Sequence, residues 1–252
     1  MSIGARCSSW AVVVAMTLLA GTASAQIPDK FTNLQVLPRH ISKPELTQMM
    51  RSFAGSLGVR CNHCHEGGNG QGLQGVDFAS DAKETKKVAR AMVRMTREIN
   101  TRLLPQIGRN PVREVRCVTC HHGLPKPEAL VDVLRATVKK DGVDAALDQY
   151  RELRAKHYGS AAYDFSAATL NQLAESLTES NIDGAIAVQK VNIEVNPNLA
   201  GSYGMLGRFY TTKGDKASAL AAFERAAAID PSDDFYKKKV EELKQPEAPK
   251  KP

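Results

Sequence analysis

The sequence predicts an all-α protein in which a small helical domain is followed by a solenoid of tetratricopeptide-like helical hairpins. Apolar residues recur at helical spacing in two stretches of the first half. The second half repeats itself with a period of 34 residues, which is typical of such hairpins. The composition changes near Pro125–Pro127, where cysteines and a glycine-rich stretch give way to alanine- and leucine-rich sequence. We therefore expect domains over residues 26–125 and 126–244.

The first 25 residues predict a secretory signal peptide. Arg6 is their only charged side chain, an apolar run extends from Trp10 to Ala20, and Ala23-Ser24-Ala25 offers a cleavage site before Gln26. An uncleaved anchor is the alternative, although the run is short for a permanent membrane span. We therefore expect a periplasmic protein that meets a membrane only through a partner or an uncleaved signal.

The net charge is small and positive. The chain has 34 Lys and Arg against 27 Asp and Glu, which gives a formal net charge of +7. A surplus of this size is too weak to indicate a nucleic-acid partner, and an exported protein rarely meets nucleic acid. We therefore expect protein partners and no nucleic acid.

Two helices are predicted in the first domain. The first begins after Ser42, which can serve as its N-cap, and Gly58 ends it. Its apolar face comprises Leu46, Met50, Phe53 and Leu57. The second covers residues 81–104, and its apolar face comprises Val88, Met92, Met95 and Ile99. Both faces step by four, three and four positions, so each helix carries methionine on its apolar side.

Each helix precedes a motif of two cysteines followed at once by histidine, CNHCH at 61–65 and CVTCH at 117–121. Once Cys7 leaves with the signal peptide, the motifs hold all remaining cysteines, which are Cys61, Cys64, Cys117 and Cys120. Disulfides or a zinc site would use the cysteines but would not account for the histidines. Covalent haem attachment accounts for both, because the thiols bind the haem and the next residue coordinates its iron. The motifs therefore predict two covalently bound haem c groups, with His65 and His121 as iron ligands.

Methionine is the predicted ligand on the other side of each iron. A methionine on an apolar helix face usually fills a core, but a thioether is also a common partner of histidine in cytochromes c. Met50 lies nearer the centre of its stripe than Met49, and aligning the two stripes places Met50 on Met92. Periodicity alone cannot choose between Met92 and Met95. Ligation by two histidines stays open at one haem, where His40 precedes the first helix.

The second half has the spacing of tetratricopeptide repeats. The pattern comprises Tyr203, Leu206, Gly207, Tyr210, Gly214, Ala219, Phe223, Ala226 and Pro231. Pro231 has a counterpart 34 residues earlier at Pro197, and a fainter helical pair is predicted from Glu128 with its turn at Asp141-Gly142. Stacking would bury a core that one repeat cannot form alone. The polar, proline-rich residues 245–252 predict a disordered tail.

A basic stripe follows the second helix. It comprises Lys83, Lys87, Arg90, Arg94 and Arg97, at steps of four and three positions. We interpret it as a solvated face. The alternative is a surface that guides an acidic partner or holds haem propionates.

The blocks LGVRCNHCH, FASDAKETKKVARAMVRMTREIN and VTCHHG resemble the cytochrome c subunit of photosynthetic reaction centres. The resemblance covers about residues 32–124. It implies a repeated helix, turn and cysteine motif, in which a helix methionine is the distal ligand of the haem bound by the motif that follows. It thus implies Met50 and Met92 as distal ligands. This chain has two motifs where that subunit has four, Gln26 stands where many relatives carry a lipid-anchoring cysteine, and the helical repeats lie outside the resemblance.

The predicted function is one-electron transfer. Two irons with both axial positions filled leave no site for substrate, and methionine ligation raises the reduction potential. We expect a redox partner protein, and a second protein partner could dock on the helical repeats. The alternative is a dihaem peroxidase-like oxidoreductase, in which one iron would have to lose a ligand.

Overall fold

The fold is given by a computed structural model, which describes residues 27–68, 73–108 and 113–245. The predicted signal peptide and residues 246–252 of the predicted tail lie outside the described residues. Within the described residues the regular secondary structure is helical apart from one hairpin of two-residue strands, so the predicted all-α class is confirmed. None of the helices described there has both the length and the apolar character that crossing a membrane requires.

The helices of the described residues, in chain order, are α1 (Lys43–Leu57), α2 (Glu84–Glu98), α3 (Cys117–His121), α4 (Leu130–Asp141), α5 (Val143–His157), α6 (Ala167–Leu177), α7 (Ile182–Val195), α8 (Ala200–Lys213), α9 (Lys216–Ile229) and α10 (Asp234–Lys244). A 3₁₀ turn spans Cys61–His63. A π-helical turn (Ile99–Leu103) and a second 3₁₀ turn (Leu104–Ile107) follow α2 directly. Strands β1 (Glu66–Gly67) and β2 (Val76–Asp77) pair antiparallel.

The chain folds into two units that alternate along the sequence. Of the described residues, the first unit contains 27–47 and 60–95, and the second contains 48–59 and 96–245. The first unit therefore includes the CNHCH motif and most of α2. The second unit includes the last three turns of α1 and all helices from α3, which contains the CVTCH motif, to α10.

The beginning of α1 in the first unit follows the sequence prediction. The Glu45 carboxylate accepts hydrogen bonds from the backbone N–H of Ser42 at 2.9 Å and from its hydroxyl at 2.7 Å. The Ser42 hydroxyl in turn accepts from the backbone N–H of Glu45 at 3.4 Å. This reciprocal arrangement is a capping box, which satisfies donors that the first helical turn leaves unpaired. The helix ends before Gly58, whose φ of +64° lies in the left-handed region that favours glycine.

The predicted second helix differs from the observed one at both ends. Residues 81–83 lie in the loop before α2, where the Asp81 side chain accepts hydrogen bonds instead of entering the helix. At the other end the α-helical geometry gives way to the π-helical turn and then to a 3₁₀ turn that contains Pro105. Proline has no N–H to donate and its ring crowds the preceding turn, so a regular α-helix cannot continue through it.

The helices of the second unit from α4 onward pack mainly against their sequence neighbours. The core between α4 and α9 contains Leu130, Leu134, Leu147, Tyr150, Phe165, Leu170, Leu173, Ala174, Leu177, Ala185, Ile186, Val188, Val191, Leu206, Phe209 and Ala222. Gly142, with φ of +92°, separates α4 from α5 at the predicted turn. The helical hairpins are thus observed, and their identity as tetratricopeptide repeats stays a prediction.

Candidate functional site

The first cysteine motif forms a tight turn in the first unit. The carbonyl oxygen of Cys61 accepts hydrogen bonds from the backbone N–H of Cys64 at 3.3 Å and from that of His65 at 3.0 Å. These bonds gather the two thiols and the imidazole around a single turn. Cys61 and Cys64 are free thiols. Burial raises the pKa of the Cys64 thiol, so it is protonated at neutral pH.

The first turn of α2 and the residue before it hold this motif in place. Lys83 Nζ donates a hydrogen bond to the carbonyl oxygen of Asn62, and the Thr85 hydroxyl donates to the carbonyl oxygen of His63 at 2.5 Å. Both acceptors are backbone groups, so the contacts fix the path of the chain between the two cysteines. The sequence did not identify these contacts, because nothing in a one-dimensional pattern links a polar residue to a carbonyl about twenty positions away.

The His65 imidazole packs against the aromatic ring of Phe78. The ring centroids are 5.1 Å apart and the planes are inclined at 65°. Its Nδ1 atom is buried and has no hydrogen-bond partner among the described residues. Burial lowers the pKa of His65, and the positive charges of Lys86 and Arg90 lower it further. His65 is therefore neutral at neutral pH, which is the form that can coordinate a metal.

Beside this ring, α2 buries two cationic side chains. Lys86 and Arg90 are 8% and 9% exposed. Both contact the Asp81 carboxylate, through Lys86 Nζ at 3.1 Å and an Arg90 guanidinium nitrogen at 2.8 Å. Lys86 also donates to the carbonyl oxygens of Phe78, Ala79 and Ser80. The interpretation of the basic stripe as a solvated face is therefore wrong for Arg90, because Asp81 supplies the counter-charge that makes its burial possible.

The apolar stripe of α2 is exposed. Val88, Met92 and Met95 are 49%, 38% and 47% exposed. Helices of globular proteins ordinarily bury their apolar stripe and expose their charges. Helix α2 departs from this distribution, and its exposed apolar stripe is a candidate surface for an apolar group.

The second cysteine motif forms the short helix α3 in the second unit. At its start the Thr119 hydroxyl accepts a hydrogen bond from the backbone N–H of Arg116 at 3.0 Å. The Asn100 side chain, in the π-helical turn, donates to the carbonyl oxygen of Val115 and accepts from its N–H, both at 2.8 Å. Asn100 therefore fixes the segment that leads into the motif. The sequence pattern gave no indication of this role.

The His121 imidazole of this motif has a hydrogen-bond partner. Its Nδ1 lies 2.8 Å from the carbonyl oxygen of Leu124. A carbonyl oxygen can only accept, so Nδ1 is the donor of this bond and Nε2 is the nitrogen left to coordinate a metal. This arrangement is typical of metal-binding histidines, whose second nitrogen donates to a carbonyl or carboxylate. His122 takes the left-handed φ of +46° and turns the chain so that Leu124 lies beside the ring.

The second unit also exposes apolar side chains close to its motif in the sequence. Val118 lies within the motif, and Leu103 and Ile107 precede it; all three are exposed. Cys117 and Cys120 are free thiols, and burial raises the pKa of Cys117. Exposed apolar groups and free thiols are the features that a covalently attached apolar cofactor would use.

The candidate distal ligands are distributed over both units. Met49 and Met50 are half-buried on the part of α1 that belongs to the second unit. Met92 and Met95 are exposed on the part of α2 that belongs to the first. His40 is exposed before α1. The pairing of each methionine with the motif that follows it stays a prediction.

The residues present fit haem better than the alternatives. None of the four described cysteines is bonded to another. Across residues 27–68, 73–108 and 113–245, no group of three or more His, Cys, Asp or Glu is placed to hold a metal ion. A zinc site made of cysteines and a disulfide pair are thus both missing from this part of the chain. The orientation of the His121 ring and the free thiols suit a group that supplies its own metal.

Comparison with known proteins adds an independent observation. A family model described as the photosynthetic reaction centre cytochrome C subunit matches residues 10–206. The match continues past residue 124, where the resemblance recognised from the sequence ends, and reaches α8.

Two curated proteins are similar to parts of the chain. Cytochrome c-554 of Chloroflexus aurantiacus is 34% identical over 106 residues, which cover 42% of this chain and 24% of that protein. The photosynthetic reaction center cytochrome c subunit of Rubrivivax gelatinosus is 29% identical over 116 residues, which cover 45% of this chain and 28% of that protein. The chain thus matches only about a quarter of the length of each relative.

Proposed function

Because the chain belongs to the photosynthetic reaction centre cytochrome C subunit family, we propose that it is a dihaem c-type cytochrome that carries out one-electron transfer. One observation carries the proposal. Helix α2 leaves Val88, Met92 and Met95 exposed while it buries Lys86 and Arg90. A haem is a large, flat and mostly apolar group, and covering this stripe with it would restore the ordinary burial of an amphipathic helix.

Each residue of the two motifs has a role in this proposal. Cys61 and Cys64 attach the first haem, and Cys117 and Cys120 attach the second. His65 and His121 would coordinate the irons, and the hydrogen bond at Nδ1 of His121 leaves its Nε2 as the coordinating nitrogen. Met50 and Met92 are the proposed distal ligands, with Met49 and Met95 as their alternatives. The bound haem would supply a one-electron iron couple.

The protein's own residues would restrict the site to electron transfer. If a histidine and a methionine both coordinate each iron as proposed, no position would be left for a substrate. The apolar side chains of α2 would exclude water, and exclusion of water disfavours the more highly charged oxidised state. The chain would thus hold the cofactor at a raised potential and prevent competing chemistry.

The proposal also covers where the protein is located and which of its regions bind haem and a partner. We propose export to the periplasm, with cleavage before Gln26. Residues 26–125 would hold both haems, and the helical repeats over residues 126–244 would dock a redox partner protein. A role in photosynthesis is not part of the proposal, because the chain has two cysteine motifs and matches about a quarter of each relative.

Mass spectrometry of the protein, matured in a host that attaches haem c, tests the proposal. We expect an apoprotein mass that starts at Gln26 plus two haems. Cys61→Ala with Cys64→Ala, and Cys117→Ala with Cys120→Ala, should each remove one haem. A colourless protein at the apoprotein mass would refute the proposal. Two haems with a high-spin ferric spectrum and rapid peroxide turnover would favour the peroxidase-like alternative instead.

A further inference from the structure

We infer that the buried pair of Lys86 and Arg90 sets the reduction potential of the first haem site and makes it higher than that of the second. The inference rests on the proposed function, since it concerns haems bound at His65 and His121. It assigns a role to Lys86, which lies outside the basic stripe predicted from the sequence, and to Arg90, which lies within it. Lys86 and Arg90 act through charge and position and are not ligands.

The geometry of the first unit places these cations beside the first motif. Lys86 Nζ holds the loop that begins at Phe78, donating to the Phe78 carbonyl oxygen at 3.0 Å, and the Phe78 ring lies against the His65 ring at 5.1 Å. Arg90 extends the same cluster, donating to the carbonyl oxygen of Asn33 at 3.2 Å. The side chains of Lys86 and Arg90 are only 9% and 11% exposed, so solvent screens their field weakly.

The charges of this cluster do not cancel. Lys86 and Arg90 share one carboxylate, that of Asp81, which leaves one positive charge in excess. Lys83, whose Nζ contacts the carbonyl oxygen of Asn62 inside the motif, adds another, and the Asp77 carboxylate, whose negative charge also acts on His65, offsets one of the two. An oxidised iron carries one more positive charge than a reduced iron, so an excess of buried positive charge favours the reduced state. The cluster therefore raises the potential at His65.

The second motif has the opposite arrangement. His121 donates from Nδ1 to the Leu124 carbonyl oxygen, and such a bond makes the imidazole a more basic ligand, which stabilises the oxidised iron. His65 Nδ1 makes no such bond among the described residues. No lysine or arginine of the described part of the second unit is buried. Both differences lower the second potential relative to the first.

The difference in potential between the two sites determines the order in which they are reduced. When the protein holds one electron, the second site is oxidised and the first is reduced. A one-electron donor protein would fill the first site before the second, and an acceptor would have to oxidise the first site at the higher potential.

Spectroelectrochemical titration of the dihaem protein tests the inference. The wild type should show two one-electron steps. Lys86→Gln should decrease the midpoint potential of the high-potential step and leave that of the low-potential step unchanged. At the wild-type midpoint of the higher step, the ratio of reduced to oxidised haem should fall up to about tenfold, which is ~59 mV for one electron. Asp81→Asn should shift the same step upward, since it removes the negative partner.

The controls separate charge from structural damage. Lys87→Gln removes a cation from the next position of α2, where the side chain is exposed, and should leave both steps in place. Lys86→Arg keeps the charge and should restore the wild-type titration. If Lys86→Gln does not fold, Arg90→Gln provides the same test. If loosened packing were the cause, Lys86→Gln and Asp81→Asn would shift the potential of the higher step in the same direction. If charge is the cause, they shift it in opposite directions.

The outcomes distinguish this inference from the proposed function. Protein without haem would refute the proposed function. Protein with two haems whose steps coincide, or whose lower step alone responds to Lys86→Gln, would overturn the inference and leave the proposed function intact. Identical shifts of both steps would also overturn it, because the cluster would then not be specific to the first site.

Discussion

The backbone N–H of Gly123 donates a hydrogen bond to the backbone carbonyl oxygen of Ser56, with an N···O distance of 2.9 Å. Ser56 lies in the last turn of α1, and Gly123 lies two residues after His121. The bond therefore ties the end of α1 to the segment that places the Leu124 carbonyl beside the His121 ring. A helix that precedes the first motif in the sequence thus supports the second motif in the structure.

Gly58→Ala should destabilise this connection. A Cβ at Gly58 would lie 2.1 Å from the carbonyl oxygen of Gly123, and the φ of +64° is itself unfavourable for alanine. We expect the free energy of unfolding to fall by about 2–4 kcal/mol in urea titrations. Gly55→Ala is the matched control, because Gly55 lies within α1 and a Cβ there would meet nothing within 4 Å. It should raise stability by about 0.5–1 kcal/mol. Equal effects of the two substitutions would contradict the prediction.

Substitution of single methionines should identify the distal ligands. If Met92 coordinates an iron, Met92→Ala removes half of the thioether-to-iron charge-transfer absorption of the oxidised protein, because one of two sulfur ligands is lost. Met95→Ala should leave this band unchanged and alter only packing. The same comparison applies to Met50→Ala and Met49→Ala. Loss of the band in Met95→Ala but not in Met92→Ala would assign the second ligand to Met95.

The Asp81 carboxylate should make the free energy of unfolding depend on pH in the acidic range. Hydrogen bonds from Arg90, then from Asn33 and Lys86, hold its pKa well below the ordinary value. A folded pKa below the unfolded one gives stabilisation that is complete above the unfolded pKa, about 3.9, and is lost as the pH falls below it. We therefore expect the wild type to exceed Asp81→Asn in free energy of unfolding at about pH 6, with a gap that narrows toward about pH 2.

Urea titrations of both proteins across this range give the measurement. Asp29→Asn is a suitable control, because Asp29 also pairs with a lysine but its side chain is 89% exposed. Its substitution should change stability little at any pH, as is usual for surface pairs. A gap between wild type and Asp81→Asn that stays constant down to about pH 2 would show that the Asp81 carboxylate is not the titrating group.

The sequence predicted the helices well because their determinants are local. Ser42 and Glu45 form the cap that begins α1, and Gly58 and Gly142 lie at the predicted helix ends. These positions depend on side-chain hydrogen bonds within one turn and on the freedom of glycine to adopt positive φ. The short hairpin β1–β2 was not predicted, because strands of two residues have no periodicity to detect.

The sequence predicted less about the surroundings of the motifs, since these are made by distant residues. Periodicity assigned Arg90 to a charged face, but its burial depends on Asp81 and Asn33, which lie outside the helix. The bonds from Asn100 to Val115 and from His121 to Leu124 involve backbone groups, which every residue possesses. No pattern of residue types can indicate which of them is used.

Among the helical hairpins, the contact between α8 and the Tyr236 ring of α10 should depend on a single glycine. A Cβ at Gly204 would lie 2.5 Å from a ring carbon of Tyr236, so Gly204→Ala requires the tyrosine to move. We expect a loss of about 1–3 kcal/mol in the free energy of unfolding, which is the usual cost of overpacking a core. Gly201→Ala, three positions earlier on the same helix, meets nothing within 4 Å and should be neutral or stabilising by up to about 1 kcal/mol. Leucine is smaller than tyrosine, so Tyr236→Leu should relieve the clash, and the double variant Gly204→Ala with Tyr236→Leu should recover part of the lost stability. If the double variant recovers none of it, the strain does not arise at Tyr236.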